Sequence, residues 1–575
     1  MRVGPQTGPQ EVTMPHSLLF CKRSFLAICL FLFSGAFCLA QITNVTDMTS
    51  TPLPGTGHDY FKMLSETVNP ANGSLSIRIG VPVPPGRGLT LPFSFAYDSN
   101  GAYGSVIGIT GEGTYLNNPM FLSQYGWSYT VPQLSIQQVE LMNGQWQCPA
   151  YIDYVFQDPL GARHALDLAS TYVSTGKCGY SSETPGGDDA VVAALGCSQS
   201  GICGSAVVAD ADGTAYYFGQ VVAHESNPGP MYSSMPTWVE DRNGNRVAFT
   251  DNNNGAFTVA DTLGRTVLSS SGFGASGNTL TVSGLSSPYT VNWTTASYNF
   301  NPNASLAWGD GYCRGMSNAQ GTSVPVVSSI TLPNQQSYSF SYDSNYGLIN
   351  QITYPTGAKV TYTWGHNSQS EIANFADSNG SNNGCQYTFD TPAITDRYVY
   401  FDGSTLALHQ HFTYSTTWSG TSWTSKTTTV TTTDVLRGLS FTTTYTYASV
   451  PARQQYYDYN LFATQIPVEQ QVVYTDWGGA TTLRTVNEYW QDMFQKLCES
   501  ATETVGSSNL TSRTDYVYST QGLQLTDKKE WDWGTQSACP ASGYSPPSGT
   551  PLRETGHLLC VSRRYPLVHG RPVYI

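Results

Sequence analysis

Two histidines separated by one residue are the most chemically distinctive pair in this sequence. In the segment His409-Gln410-His411, an extended chain would place both imidazoles on one face of a β-strand, as some transition-metal sites require. The sequence offers no Cys or carboxylate beside them to complete a set of ligands. We therefore expect a solvated strand face here and not a metal site.

A second group that could bind a cation is the carboxylate pair Asp188-Asp189, which lies in a Gly-rich segment. Calcium takes several oxygen ligands, and calcium loops supply them from acidic residues at regular spacing. No such spacing surrounds this pair, so we expect a solvated loop. The sequence predicts neither a bound metal nor a cofactor.

Catalytic motifs are missing from the sequence. It contains no Gly-x-Ser-x-Gly nucleophile elbow, no phosphate-binding loop and no dinucleotide fingerprint that leads from a strand into a helix. Glycoside hydrolysis needs two carboxylates at a defined separation, and a chain with 40 acidic residues offers too many pairs to choose one. We assign no catalytic residue and expect a protein that is not an enzyme.

Four tryptophans stand among Ser, Thr and Gly residues and are candidates for ligand binding. An exposed indole in such surroundings could stack on a sugar ring, which would suit a surface glycan. Packing between strands is the favoured alternative, because large aromatic side chains dominate β cores. The four candidates are Trp418, Trp423, Trp531 and Trp533.

The elements that would position these residues are strands joined by tight turns of one recurring kind. Asp can accept a hydrogen bond from the backbone two residues on, and Gly tolerates a positive φ, so Asp-x-x-Gly starts a hairpin. Strand-forming runs such as Tyr216-Tyr217-Phe218 follow the turns. Five examples are Asp98-Ser-Asn-Gly101, Asp158-Pro-Leu-Gly161, Asp210-Ala-Asp-Gly213, Asp241-Arg-Asn-Gly244 and Asp261-Thr-Leu-Gly264.

Composition favours an almost purely β protein. The chain has 575 residues, of which only 11% are charged and 13% are aromatic, and almost no segment has the three-to-four spacing of an amphipathic helix. A β-propeller or tandem β-sandwiches would also fit this composition, although the irregular spacing of the turns fits propeller blades poorly. The net charge of −14 argues against a nucleic-acid partner, which would require a basic surface.

A short apolar segment near the start predicts export. Lys22-Arg23 precedes an apolar run from Ser24 to Phe37, and the small residue Ala40 comes before Gln41. This order is typical of a secretory signal peptide cleaved between Ala40 and Gln41. No later stretch is long and apolar enough to span a bilayer, so we expect a secreted or cell-surface protein.

Export makes disulfides plausible, because exported chains meet an oxidising compartment. Cys178, Cys197 and Cys203 lie close together in a Gly/Ser-rich insertion and are candidates for pinning that loop. The sequence does not determine which cysteines pair.

Several segments, taken in order, resemble exported RHS/YD-repeat proteins. The resemblance covers roughly residues 60 to 450 and extends weakly to about 555. Its opening part is Val68-Asn69-Pro70-Ala71-Asn72-Gly73-Ser74-Leu75, Pro85-Gly86-Arg87-Gly88-Leu89, Phe95-Ala96-Tyr97-Asp98-Ser99-Asn100-Gly101 and Gly126-Trp127-Ser128. Segments similar to single repeats are Asp241-Arg242-Asn243-Gly244-Asn245, Asp261-Thr262-Leu263-Gly264-Arg265, Leu332-Pro333 to Phe340-Ser341-Tyr342-Asp343, and Ile352-Thr353-Tyr354-Pro355-Thr356-Gly357-Ala358-Lys359-Val360-Thr361-Tyr362.

The resemblance implies a spiralling antiparallel β-sheet that forms part of a hollow shell, which in many members encloses a C-terminal toxin. It favours a structural or interaction protein that acts in cell-surface contact, adhesion or containment of a cargo absent from this chain. The aspartate-containing junction that releases the toxin in the family has no recognisable counterpart here. A secreted carbohydrate-binding or carbohydrate-active protein is the alternative, supported mainly by the four tryptophans.

The sequence divides into six predicted regions. They are a signal peptide at 1–40, a polar tether at 41–62, an N-terminal β region at 63–220 with its Cys-rich loop at 175–204, YD-type repeats at 221–450, a Thr-rich β region at 451–555 and an aberrant or truncated tail at 556–575. Strand-like alternation ends after Thr555, which indicates either a shifted reading frame or a truncated array. Translation starts at Met1 or at Met14.

Overall fold

The computed structural model describes most of the chain after residue 60. The described residues are 61–102 without 64, 123–143, 146–171 without 167, 181–183, 186–187, 190–196, 205–219 without 211, 222–224, 231–308 without 253–254, 322–375, 385–451 without 421, and 465–556 without 493–494, 506–507 and 519–524. The predicted signal peptide with Ala40 and Gln41, the carboxylates Asp188 and Asp189, and the candidate cysteines Cys178, Cys197 and Cys203 lie outside these residues, as does the tail from 557 onward.

The described residues form 38 strands. The first nineteen are β1 Phe61–Met63, β2 Glu66–Val68, β3 Leu75–Val81, β4 Phe93–Asp98, β5 Ser123–Gln124, β6 Trp127–Tyr129, β7 Gln133–Asn143, β8 Trp146–Gln157, β9 Arg163–Ala165, β10 Ala169–Thr171, β11 Ser181–Glu183, β12 Gly186–Gly187, β13 Val191–Gly196, β14 Ser205–Asp210, β15 Ala215–Phe218, β16 Val222–His224, β17 Met231–Ser234, β18 Trp238–Glu240 and β19 Arg246–Asp251. The others are β20 Ala256–Ala260, β21 Thr266–Ser271, β22 Asn278–Val282, β23 Tyr289–Tyr298, β24 Ser305–Trp308, β25 Thr322–Thr331, β26 Ser337–Tyr342, β27 Ile349–Thr353, β28 Lys359–Phe375, β29 Cys385–Tyr400, β30 Leu408–Ser419, β31 Ser422–Asp434, β32 Leu439–Pro451, β33 Gln465–Thr475, β34 Thr482–Trp490, β35 Lys496–Val505, β36 Ser508–Tyr518, β37 Leu525–Gly534 and β38 Arg553–Gly556.

Three sheets contain all of these strands. The N-terminal sheet comprises β1 to β6, the side sheet comprises β7 to β11 with β16 and β17, and the long sheet comprises the other 25 strands. Strands of the long sheet lie almost in chain order from β12 to β38, and neighbours pair antiparallel. The only helical segment among the described residues is the 3-10 turn Ser99–Gly101. The expected all-β fold with a spiralling antiparallel sheet is confirmed, and the described sheets do not close into a barrel.

Four of the five Asp-x-x-Gly segments form the expected hairpin turns. At Asp241 the carboxylate accepts hydrogen bonds from the backbone N–H groups of Asn243, at 2.8 Å, and Asn245, at 2.9 Å, and Gly244 has a φ of 79°. The side-chain amide of Asn245 and these backbone bonds lower the pKa of Asp241. The turns at Asp158, Asp210 and Asp261 close in the same way, and the four turns join β8 to β9, β14 to β15, β18 to β19 and β20 to β21.

The fifth segment differs. Asp98 accepts a hydrogen bond from the N–H of Asn100 at 2.9 Å and caps the 3-10 turn, and β4 then pairs with β6. The expectation of a hairpin turn here is wrong, because the N-terminal sheet has another partner for β4.

The main hydrophobic core lies between the N-terminal sheet and the long sheet. As the alternation predicts, Phe93, Phe95 and Tyr97 share a buried face of β4. Phe93 packs against Phe257 with ring centroids 6.1 Å apart, and Phe95 packs against Tyr289 at 5.7 Å. The same cluster includes side chains of the side sheet and extends to β33. The first described strands therefore cover a face built from strands much later in the sequence.

A segment at 535–552, called the strap, crosses one face of β34 to β37. Cys539 in the strap forms a disulfide with Cys498, with Cα atoms 6.1 Å apart. Arg513 donates from Nη2 to the carbonyl of Ser545 at 2.9 Å, and the Tyr544 hydroxyl donates to Asp515 at 2.9 Å. The strap thus covers part of the last strands of the long sheet.

None of the described residues belongs to a helix with the length and hydropathy needed to cross a bilayer.

The contact between Gly73 and β29 gives a direct test of this packing. Gly73 has a φ of 74°, and a Cβ added there would lie 2.5 Å from Cβ of Ala393. Replacing it with Ala should lower the free energy of unfolding by about 2 kcal/mol or more, because backbone strain and steric overlap add. Urea denaturation followed by Trp fluorescence measures the change.

The matched control is Gly80→Ala in β3, where an added Cβ meets nothing within 4 Å and φ is not positive. This variant should stay within about 0.5 kcal/mol of the parent. Equal effects of the two substitutions would contradict the described contact between Gly73 and β29.

Candidate functional site

Three of the four candidate tryptophans are not available as exposed platforms. Trp423 and Trp531 are only 6% and 7% exposed to solvent. Trp418 is partly buried against the core, and its Nε1 donates a hydrogen bond to the carbonyl of Gln369 at 2.6 Å. Trp533, at 43%, is the exposed one. The favoured alternative, packing between strands, therefore describes Trp423 and Trp531, whereas Trp533 remains a candidate platform. Polar neighbours in a strand point to the opposite face, so they do not report the environment of the indole.

A buried charged network ties the N-terminal sheet to the long sheet. Glu66 in β2 and Arg397 in β29 are both fully buried and form an ion pair. The hydroxyl of Tyr354 donates to the second oxygen of Glu66. Arg397 also donates from Nη1 to the side-chain oxygen of Gln410 at 2.8 Å, and Gln410 donates in turn to Thr432 at 3.2 Å. The network therefore spans β2, β29, β30 and β31.

Burial makes this network sensitive to the loss of any charged member. Desolvation disfavours the charged form of Arg397, but the negative charge of Glu66 and the other nearby groups together have the larger effect, so the pKa of Arg397 is raised. Desolvation and the Glu66 charge raise the pKa of Tyr354, so this phenol stays protonated and can donate. A buried charge left without its partner costs several kcal/mol.

Gln410 separates two histidines that face the other way. Because side chains alternate along a strand, His409 and His411 lie on the face of β30 opposite to Gln410. Asp396 of β29 lies directly across from His411. Its Oδ1 is 2.8 Å from Nε2 of His409 and 2.8 Å from Nδ1 of His411.

These three side chains form the most concentrated group of metal-ligating atoms in the described part of the chain. Their ligand atoms all lie within 4.8 Å of one another. Partial burial raises the pKa of Asp396, but the hydrogen bonds to His409 and His411 lower it by more, so its pKa lies below the usual value of an aspartate. The expectation that no carboxylate lies near the histidines is wrong, because pairing with β29 supplies one.

Another cluster brings two carboxylates together around a lysine. Glu488 in β34 lies opposite Glu499 in β35, and Lys496 contacts them at 3.1 Å and 2.7 Å. Burial raises the pKa of Glu488, whereas the Lys496 charge lowers that of Glu499. Both carboxylates form ion pairs with the same ammonium group, so the arrangement acts as an ion cluster between strands. Each carboxylate has at least one oxygen engaged by Lys496.

Comparison with known proteins gives little that bears on these sites. No family model and no curated protein matches the sequence. Among solved structures, the chain is similar to the crystal structure of TcdB2-TccC3, with a TM-score of 0.30 and 9% sequence identity. The match covers 87% of this chain and 46% of that one, so this chain spans about half its length. A TM-score this low carries no conclusion about fold or function.

The buried ion pair predicts a non-additive response to mutation. Arg397→Met should lower the free energy of unfolding by about 3 to 5 kcal/mol, because Glu66 would remain buried without its partner charge. The double variant Glu66→Leu, Arg397→Met should lose less than the single variant, since no uncompensated charge is left. Urea denaturation of the four proteins in the cycle measures both effects, and additive losses would contradict the pairing.

Proposed function

We propose that this chain is an exported structural protein of the RHS/YD-repeat kind, whose coiled sheet forms part of a wall around a cargo. The observation that carries the proposal is the long sheet, in which 25 strands follow one another almost in chain order. Such an array builds a continuous surface by adding one hairpin after another, as repeat proteins do. Acting at the cell surface, in contact or adhesion, is a further role that such a wall would suit.

Two further features support the proposal. The N-terminal sheet covers one face of the long sheet, and charged groups buried there bond to one another, as Glu66 and Arg397 do. The sequence also begins with the features of a signal peptide, which supports export. We propose that the mature protein begins at Gln41 and is secreted or held at the cell surface.

Containment can be tested by protease protection of the native product. An affinity tag inserted after Leu436, which is 70% exposed in the turn between β31 and β32, would allow isolation from the secreted and surface fractions. The native product should contain a polypeptide, of sequence outside residues 1–575, that proteinase K degrades only after denaturation. N-terminal sequencing of the product should begin at Gln41.

A second product, carrying Arg397→Met, tests whether the N-terminal sheet closes the wall. Loosening the N-terminal sheet should make the enclosed polypeptide sensitive to protease without denaturant. A native product that contains no protected polypeptide would refute the containing wall, and a product found solely in the cytosol would refute export.

A carbohydrate-binding protein is the second candidate, and the exposed Trp533 is the observation that favours it. If an indole platform binds glycans, Trp533→Ala should weaken glycan-array binding by at least about tenfold. Trp531→Ala should mainly lower the free energy of unfolding, by about 3 kcal/mol, because that indole is buried. Absence of glycan binding by the parent protein would exclude this candidate.

A further inference from the structure

We propose that Asp396, His409 and His411 form a binding site for a divalent transition-metal ion of the zinc class. Two imidazole nitrogens and one carboxylate oxygen are donors that zinc accepts, and three protein ligands leave a fourth position for water or another donor. The donors come from two paired strands, so a bound ion would join β29 to β30 on the face opposite Gln410.

The distances suit a site that needs only a small adjustment. Each imidazole nitrogen is now 2.8 Å from Oδ1 of Asp396. Tetrahedral zinc with bonds of about 2.0 to 2.1 Å holds its ligand atoms about 3.3 Å apart. Zinc would therefore need each of these contacts to open by about half an ångström, and the two imidazole nitrogens, which lie within 4.8 Å of each other, to take the same separation.

Neighbouring contacts already hold strand β30 and the ring of His409 in place. The ring of Tyr398 stacks on His409 with centroids 4.5 Å apart and an interplanar angle of 7°. Gln410 is anchored on the buried face by Arg397 and Thr432, which fixes the register of β30 against β29. Because both the strand and one ring are held in advance, metal binding would lose little conformational entropy.

Partial exposure makes the site accessible to an ion. The side chains of His411, His409 and Asp396 are 52%, 31% and 17% exposed. An ion could therefore enter from solvent and keep a water molecule on its open side. This openness resembles metal sites that exchange a ligand more than closed structural sites with four protein ligands.

A hydrogen-bonded trio without metal is the alternative, and titration with zinc separates the two. The full chain, purified and treated with chelator, should bind one equivalent of Zn²⁺ by isothermal titration calorimetry. Co²⁺ in its place should give the visible absorption bands of a four-coordinate ion. His409→Gln, His411→Gln and Asp396→Asn should each weaken Zn²⁺ binding by at least about tenfold.

The matched control is His366→Gln. His366 also lies near a carboxylate, with Nε2 3.6 Å from Oδ2 of Asp390, but it has no second imidazole in that contact. This variant should bind Zn²⁺ like the parent, and circular dichroism should show that every variant is folded. The proposal is overturned if the parent binds no Zn²⁺, or if the double variant His409→Gln, His411→Gln retains the parent's affinity.

Discussion

The pairing of Glu66 with Arg397 is the constraint on which the arrangement of the sheets depends. The two residues are 331 positions apart in sequence, yet each has its charge buried completely and depends on the other to compensate it. Such a pair is a poor source of net stability, because desolvation offsets much of the attraction. A displaced N-terminal sheet would separate Glu66 from Arg397, so the pair favours the observed position of that sheet over the long sheet.

Strands β29 and β30 carry different chemistry on their two faces. On the covered face, Arg397, Gln410 and Thr432 continue the network across β29, β30 and β31. On the other face, Asp396 of β29 lies beside His409 and His411 of β30. A one-residue slip between β29 and β30 would disrupt both groups together, since the period of a strand is two. The buried network therefore positions the partly exposed cluster.

Local features could be predicted from the sequence, and contacts between distant strands could not. The turn at Asp241 depends on atoms within four residues, so its residue types determine it. The carboxylate of Asp396 reaches His411 only through the pairing of β29 with β30, and no spacing rule reveals that register. Alternation indicates that Trp531 and Trp533 lie on one face of β37. It does not reveal that the strap covers Trp531, which donates from Nε1 to the carbonyl of Gly549. The pairing of Cys498 with Cys539, 41 residues apart, likewise depends on the tertiary structure and cannot be predicted from the sequence.

Native-state hydrogen exchange followed by mass spectrometry tests most directly the claim that the N-terminal sheet and the long sheet share one core. If they do, peptides from β3 and β4 should exchange at the same rate as peptides from β27 to β31 when rising urea exposes both sheets in a single opening. Arg397→Met should accelerate exchange in both sets. Early exchange of β3 and β4, with β27 to β31 still fully protected, would contradict the account.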